Sequence, residues 1–492
     1  MDASKTDAND WLTSEPHLDP KDWQSLRVLA HQMLDDAIDD LASIRESPVW
    51  TKMPASSRSA LCARLPDQPQ SPDLVYQDFC ELVRPYATGN RHPAFYGWVH
   101  GGGTVMGMLA EMLAGSLNAN LGGRDHAPIE VERQVIRWAA EMLNFPSSAS
   151  GVLVTGTSMA NMIGVLVART NSLGATVRRS GIGRSALVAY ASEAAHNCVA
   201  RAMDMTGLGM DALRKIRCND AGQMDLNALR DAIEADQAEG YRPFLVVGTA
   251  GTVDIGAVDN LDGLADLCST FDLWFHVDGA FGAIALLSQS QRIKLKGIER
   301  ADSVAFDFHK WAQVPYDAGC IVVRDAIAHH ATFVSSAEYL RHDVRGLAGG
   351  APWPCDLGPD LSRGFRALKV WMTLKTYGAE RIGAVVDHTC SLAEYLAAKI
   401  GAQSGLELLA PVGLNIVCFR AVPQNQNADV LNADIAADLQ EDGLAAPSTT
   451  RINGNLAIRV AIVNHRTARA DIDALLAAVL ACARKRNVLL AD

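Results

Sequence analysis

Ser303-Val304-Ala305-Phe306-Asp307-Phe308-His309-Lys310-Trp311 reads as a buried strand that runs into a His-Lys pair. Its apolar run suits a strand covered on both faces of a sheet. About thirty residues upstream, Leu273-Trp274-Phe275-His276-Val277-Asp278-Gly279-Ala280 is a second apolar strand. It ends in a carboxylate followed by small residues. Working outward, strand-like and helical patterns alternate from Gly101 to about Gly378. Strands are expected at Ala186–Ala191, Phe244–Val247, Leu273–Val277, Ser303–Phe306 and Cys320–Val323, with helices between most of them. That alternation predicts an α/β fold with a mostly parallel sheet covered on both sides.

From Gly383 onward the pattern changes. A long Ala- and Leu-rich helix (Val385–Ile400) precedes strands near Leu406–Leu409 and Leu414–Arg420. A helix near Asn432–Gln440, a strand at Leu456–Val463 and a last helix at Ala470–Arg484 complete a small α+β domain. Before the sheet, a helix is expected within Asp19–Glu46, an extended connector at 51–73 and a second helix at about Leu74–Pro85. The expected division is an N-terminal helical segment (1–100), a large α/β domain (101–380) and a small α+β domain (381–492).

A Lys and an Asp at the ends of two strands of one sheet are the pair that pyridoxal phosphate needs. The Lys forms a Schiff base with the cofactor aldehyde. The Asp keeps the pyridine nitrogen protonated, so that the ring accepts electrons. Lys310 and Asp278 are the candidates. Taken singly, each has an ordinary alternative: a surface Lys after a strand, and an Asp capping a turn into Gly279. Ala280 leaves room for a ring face.

Gly156-Thr157-Ser158-Met159-Ala160-Asn161 follows the apolar run Val152-Leu153-Val154 and precedes a helical pattern. Strand, small-residue turn and helix form an anion cradle, because the first helical N–H groups lack partners. Simple helix capping by Thr157 or Ser158 is the other reading. His196 stands near a helix start, as a ring-stacking imidazole or as a backbone-bonded one. Thr249 follows the strand ending at Val247 and brings a hydroxyl to a strand's carboxyl end, where α/β sheets bind ligands.

His100-Gly101-Gly102-Gly103 matches the oxyanion tetrapeptide of some esterases. That chemistry needs a Gly-x-Ser-x-Gly elbow, and Gly156-Thr157-Ser158-Met159-Ala160 lacks the second glycine. His329-His330 and the Asp35-Asp36, Asp39-Asp40 cluster lack ligand spacing, so no metal is expected.

Together these residues resemble the pyridoxal-phosphate-dependent amino-acid decarboxylases of the aromatic-amino-acid, glutamate and histidine type. The likeness runs from about Asp19 to about Asp473. It lies in His309-Lys310-Trp311, His276-Val277-Asp278-Gly279-Ala280, His196, Thr157-Ser158-Met159, Arg363-Gly364-Phe365-Arg366-Ala367-Leu368-Lys369 and Asn464-His465-Arg466-Thr467. The resemblance implies fold type I, the aspartate-aminotransferase-like class with a seven-stranded-type sheet. It implies a homodimer with active sites at the subunit interface and an N-terminal segment wrapping the partner.

It also implies roles. Lys310 carries the cofactor, Asp278 holds its ring nitrogen and His196 stacks on it. Thr157, Ser158 and His309 grip the phosphate, at a turn where Met159 replaces the family's serine. The expected reaction is decarboxylation of an L-α-amino acid to its amine. Oxidative decarboxylation to an aldehyde stands second, and transamination or carbon–carbon lyase chemistry third, because fold does not fix reaction. A non-catalytic cofactor-binding protein is a further alternative.

Two departures from the family pattern bear on this. The stretch from about Arg341 to Asp356, matched to a loop whose Tyr protonates the carbanion, contains no Tyr. His342 is the substitute acid expected there, since imidazole titrates near neutrality. The substrate wall carries Trp98, Val99, His100, Asn120 and Gly122, with Arg124 close by, which predicts a more polar substrate than dopa or tryptophan.

The bulk numbers agree with an ordinary globular enzyme: 492 residues, 49% hydrophobic and 20% charged, with a net charge of −12. No basic run suggests nucleic acid. No apolar run of about 18 residues suggests a membrane span. Ten cysteines without a Cys-x-x-Cys pair, and no leader-like pattern in Met1–Pro20, predict free thiols and a cytoplasmic location.

Overall fold

The computed structural model describes residues 18–334, 343–350, 352–424, 426–486 and 488–491. They form two compact units, one of residues 18–46 with 52–87, the other of 47–51 with 88–491. In the first unit a helix runs over Trp23–Ala42. It begins where Asp22 caps it, the carboxylate accepting from the N–H groups of Gln24 and Ser25 at 2.9 and 3.1 Å. A second helix spans Pro72–Leu82, and a short one at Ala55–Ala60 interrupts the expected connector.

The second unit holds two sheets. Their strands in chain order are β1 (Phe95–Tyr96), β2 (Ser150–Val154), β3 (Leu187–Ser192), β4 (Leu213–Ile216), β5 (Arg242–Thr249), β6 (Trp274–Asp278), β7 (Ser303–Asp307), β8 (Gly319–Val323), β9 (Leu406–Leu408), β10 (Ile416–Ala421), β11 (Ala446–Ile452) and β12 (Asn455–Ala461). The seven-stranded sheet has the order β2-β8-β7-β6-β5-β3-β4. Only β8 runs against its neighbours. The fold is therefore the mostly parallel α/β type that the alternation predicts.

Strand periodicity sorts the core. Val246, Phe275, Val277, Val304 and Phe306 face one apolar cluster, shared with the helices Ala127–Met142 and Leu261–Phe271. Leu245, Val247, Ala305 and Ile321 face the other, shared with the helix Thr157–Leu173. Each fully buried Val, Leu, Ile or Phe contributes roughly 1.5–3 kcal/mol, so both faces drive sheet formation. Because β5, β6 and β7 are parallel and in register, Thr249, Asp278 and Asp307 all end at one edge of the sheet.

The smaller sheet has the order β1-β11-β12-β10-β9. Helices Ala428–Glu441 and Arg469–Lys485 pack Leu431, Ile435, Leu439, Ile472, Leu475 and Val479 against it. Phe95–Tyr96 joins this sheet by pairing parallel to β11, although it lies within the stretch assigned to the N-terminal segment. Three strands were not expected, β1, β4 and β11. β4 is a four-residue edge strand, Leu-Arg-Lys-Ile, too short and too polar to stand out.

Candidate active site

The edge where β5, β6 and β7 end opens on a cleft of about 420 Å³. Lys310, Asp278, His309, His196, Thr157, Ser158, Thr249, Ala280, Trp98 and His100 all line it. Residues far apart in sequence are thus brought together by strand ends and the turns that follow them. Asp307, Val99 and Tyr316 line it as well.

Asp278 is buried and fully engaged. Its Oδ1 accepts from the Ala280 N–H at 3.1 Å, and its Oδ2 from the Asn161 amide at 3.0 Å. Behind Asn161 a chain of contacts continues. Asn161 Oδ1 lies 2.8 Å from His276 Nε2, and His276 Nδ1 lies 2.8 Å from Ser303 Oγ. The Trp274 indole donates to that same Ser303 oxygen at 2.9 Å. A carboxylate only accepts, so the Asn161 amide nitrogen donates to Asp278 and its oxygen accepts from His276, whose other ring nitrogen, in the neutral form, accepts from Ser303. Trp274 donates to Ser303, Ser303 to His276, His276 to Asn161 and Asn161 to Asp278. Burial pushes the His276 imidazole down to about 4, which keeps it neutral and able to fill both roles. The helix Thr157–Leu173 lies tight on this ring: a Cβ on Gly164 would sit 2.6 Å from His276 Cε1.

The opposite end of the cleft is built from the turn Gly156–Ser158 at the start of that helix. Here polar atoms lack partners. Thr157 Oγ1 and Asp307 Oδ1 are buried and make no hydrogen bond among the described residues, and the same holds for Thr249 Oγ1, beside Asp278 at the end of β5. A Cβ added to Gly156 would meet nothing closer than 3.7 Å. Unfilled helix N–H groups, two idle hydroxyls and open space beside a glycine suit a phosphate and a ring hydroxyl. The residues present therefore fit pyridoxal phosphate.

Lys310 Nζ lies 3.0 Å from Asp307 Oδ2, and His309 Nε2 lies 3.6 Å from the same oxygen. The Ala318 N–H donates to His309 Nδ1 at 3.0 Å. Burial lowers the pKa of His309. The mouth of the cleft is aromatic. His100 stacks on Phe95 and Trp98, with centroids 5.7 and 5.8 Å apart, and meets Tyr316 edge-on at 5.8 Å. Burial, and then the Lys310 charge, lower the His100 pKa. Trp98 holds a left-handed backbone, φ 51°, uncommon for so bulky a residue. Arg459 fixes it by donating to the Trp98 carbonyl at 3.0 Å.

A family model described as the pyridoxal-dependent decarboxylase conserved domain matches residues 54–422. The chain belongs to the pyridoxal-dependent decarboxylase family. It is 32% identical over 474 residues to an aromatic-L-amino-acid decarboxylase of Bacillus atrophaeus, covering 94% of this chain and 97% of that one. It is 31% identical to an L-2,4-diaminobutyrate decarboxylase of Acinetobacter baumannii, covering 83% of each. Among solved structures, the glutamate decarboxylase domain of a diaminobutyrate-pyruvate transaminase and L-2,4-diaminobutyrate decarboxylase from Vibrio parahaemolyticus superposes with a TM-score of 0.84. Identity there is 27%, over 97% of this chain and 99% of that one. The decarboxylase uses pyridoxal phosphate to convert an amino acid to an amine.

Some expected site residues lie elsewhere. Met159 does not line the cleft; it packs against the apolar cluster under the helix. Asn120 is turned to structure, its Oδ1 accepting from the N–H groups of Gly122 and Arg363, both at 2.9 Å. Arg124 sits over the Trp353 ring at 4.5 Å. The polar wall expected from Asn120 and Arg124 is therefore not formed within one chain. His196 lies two residues before the helix Cys198–Met205, and the Cys198 N–H donates to its Nδ1 at 3.1 Å. His342 lies outside the described residues. So does Tyr339, which stands two residues before the stretch read as lacking Tyr. Asn161, Ser303 and Asp307 were missed. The signal for Ser303 was the strand period of two, which puts it on a shared face with neighbouring strand residues.

Proposed function

We propose that Lys310 anchors the cofactor, Asp278 holds a proton on its ring nitrogen, and His196 stacks on its face. The supporting observation is that Lys310 and Asp278 share one cleft with two buried, unpartnered threonine hydroxyls. When bound, pyridoxal phosphate draws the electrons left by departing carbon dioxide into its ring. The chain does the rest. Thr157, Ser158 and His309 orient the phosphate end, Thr249 meets the ring hydroxyl, and Ala280 leaves space for the ring. Trp98, Val99 and His100 receive the substrate side chain.

The proposed substrate is an L-amino acid with a flat, weakly polar side chain. Four aromatic rings, Phe95, Trp98, His100 and Tyr316, lie in mutual contact at the mouth and match a planar group. The proposed product is the amine rather than the aldehyde, with His342 as the substitute proton donor.

The functional form we propose is a cytoplasmic homodimer. The helix Trp23–Ala42 buries only Leu29, and Pro72–Leu82 buries none of its residues, while Trp23, Val28, Leu74, Val75 and Phe79 are exposed. Apolar faces this bare are characteristic of association. All ten cysteines are free, as in a reducing compartment. No described helix is long and apolar enough to cross a membrane.

One assay tests the reading. Carbon dioxide and peroxide are followed together on a panel of L-amino acids. Aromatic substrates are expected to give carbon dioxide and amine without peroxide, and Lys310→Ala is expected to give neither. His342→Gln is expected to raise peroxide and aldehyde. Carbon dioxide matched by peroxide in the wild type would overturn the amine outcome. A monomer by sedimentation would overturn the dimer.

A further inference from the structure

The chemistry proposed above leaves the glycines after His100 without a task. They lie against the turn that carries Lys310. A Cβ on Gly101 would sit 2.4 Å from the carbonyl oxygens of both His309 and Lys310. A Cβ on Gly102 would sit 2.8 Å from the Asn464 side chain. The Asn90 amide donates to the Gly101 carbonyl at 2.8 Å, and Arg466 donates to the Gly102 carbonyl at 3.1 Å. Side chains here would hold the two segments apart, and glycine lets backbone meet backbone.

One side chain crosses this seam. Gln313, three residues after Lys310, is 4% exposed. Its Oε1 accepts from the Gly102 N–H at 2.9 Å. Its Nε2 donates to the carbonyls of Trp311 and Val463, at 3.1 and 2.8 Å. A backbone N–H only donates and a carbonyl only accepts, so the amide has a single orientation and both its hydrogens are used. The backbone N–H of Gln313 donates to the Lys310 carbonyl at 3.2 Å and closes the turn. The chain is left-handed there, with φ 60°. A residue other than glycine keeps that conformation where its surroundings over-determine it.

We propose that Gln313 is a positioning residue, its amide a strut that fixes the spacing between the anchoring lysine and the wall that receives the substrate side chain. This rests on Lys310 being the anchor and on Trp98, Val99 and His100 being that wall.

Both ends of the strut stand close to the chemistry. Gly102 lies two residues past His100, Trp311 follows Lys310, and Lys310, Trp98, Val99 and His100 all line the cleft. Val463, just past β12, braces the joint from the smaller sheet. The packing of Gly101 sets how near the two segments come, and the Gln313 amide keeps them from parting. Among the described residues no other hydrogen bond joins 98–103 to 308–318. The Trp311 indole, which donates to Thr389 Oγ1 at 3.0 Å, holds the turn without touching the wall. Arg459 holds Trp98 without touching the turn. A substrate side chain long enough to reach the wall feels the spacing, and one too short does not. Gln313 therefore bears on which amino acid reacts.

The test compares Gln313→Met, which keeps the length and removes the hydrogen bonds, with Gln313→Asn, which keeps the amide on a shorter stem. In each, kcat/KM is measured for the largest and the smallest side chain that the wild type accepts. Misplacement by about 1 Å costs on the order of 10²-fold, so the largest is expected to lose roughly that much in Gln313→Met and the ratio of largest to smallest to fall about tenfold or more. Gln313→Asn is expected to lie between Gln313→Met and wild type. An equal loss for both side chains would mark a role in folding alone and overturn the proposal. Visible circular dichroism of the bound cofactor needs no turnover: its band is expected to change in Gln313→Met, and an identical band would overturn the proposal. Amide hydrogen exchange needs no variant: the Gly102 N–H is expected to be protected in the wild type, and rapid exchange would overturn the strut. Borohydride trapping with peptide mapping separates the two levels. A label on Lys310 with an unchanged ratio sinks only the role of Gln313, whereas a label elsewhere sinks the anchor as well.

Discussion

The two ends of the cleft are built on opposite principles. At the Asp278 end the carboxylate and the groups behind it are engaged, in a directed chain from Trp274 through Ser303, His276 and Asn161. At the Gly156 end Thr157 Oγ1 and Asp307 Oδ1 are buried with no partner among the described residues. The first end is finished before any ligand arrives, so on the proposed placement the ring nitrogen would meet a carboxylate that needs no rearrangement. The second end carries the cost of idle polar atoms, about 1–3 kcal/mol each for a buried unsatisfied group, which ligand binding relieves. Reaction direction is thus set where the protein is rigid, and affinity where it is incomplete.

The largest effect expected comes from the scaffold of the open end. Arg363 is buried and forms a two-pronged pair with Glu132, at 2.5 and 3.1 Å, while also donating to the carbonyls of Leu121 and Leu153. Leu153 lies in β2, just before the phosphate turn. Arg363→Ala leaves Glu132 buried and unpaired, and should lower unfolding free energy by about 3–5 kcal/mol in urea titrations. A loss under 1 kcal/mol would mean that the turn is held by other contacts.

Next is the finished end. Asp278→Asn removes the charge opposite the ring nitrogen and should lower kcat by on the order of 10²–10³-fold. Cofactor retention, followed by absorbance, should change far less. If affinity collapses and kcat survives, the division of labour between the two ends is wrong.

Acid should attack the same end. The unfolded chain protonates a histidine near 6.5, whereas folded His276 does so only at about 4. Between those values the unfolded state binds more protons, so stability is complete above about 6.5 and is lost as pH falls toward 4. His329 and His465, also pushed down to about 4 mainly by burial, add to that slope. Urea midpoints measured across this window should fall less steeply in His276→Gln than in wild type.

The smallest effect sharpens the contrast most. Thr157→Val and Thr249→Val should each weaken cofactor binding roughly fivefold, about 1 kcal/mol. The apoprotein's unfolding midpoint should stay level or rise, because the lost hydroxyl had no partner. A destabilised apoprotein would show that those hydroxyls already serve the fold.

Much of this was legible in the sequence because strands covered on both faces are apolar throughout. β5, β6, β7 and β8 announce themselves, and with them Lys310 and Asp278. β4 escaped because it is a short edge strand with two cationic residues in the middle. Met159 was misplaced for a geometric reason: side chains two residues apart on a helix point to nearly opposite sides, so Thr157 faces the cleft and Met159 the core. Asn120 was read as substrate wall, but its amide is spent on two backbone N–H groups. Asn161 acts on Asp278 only through tertiary contact, which no spacing reveals, and for Ser303 the strand period gives its face but not its partner. Asp307 was in plain view three residues before Lys310, and was read as part of a strand rather than as its ion-pair partner.

The directed chain also makes an optical instrument of one residue. Trp274 is the terminal donor of a continuous line of hydrogen bonds that ends on Asp278. A change in charge at the far carboxylate therefore reaches an indole buried on the same strand. Among nine tryptophans, the emission lost in Trp274→Phe is a part of the protein's own light that registers the charge at Asp278.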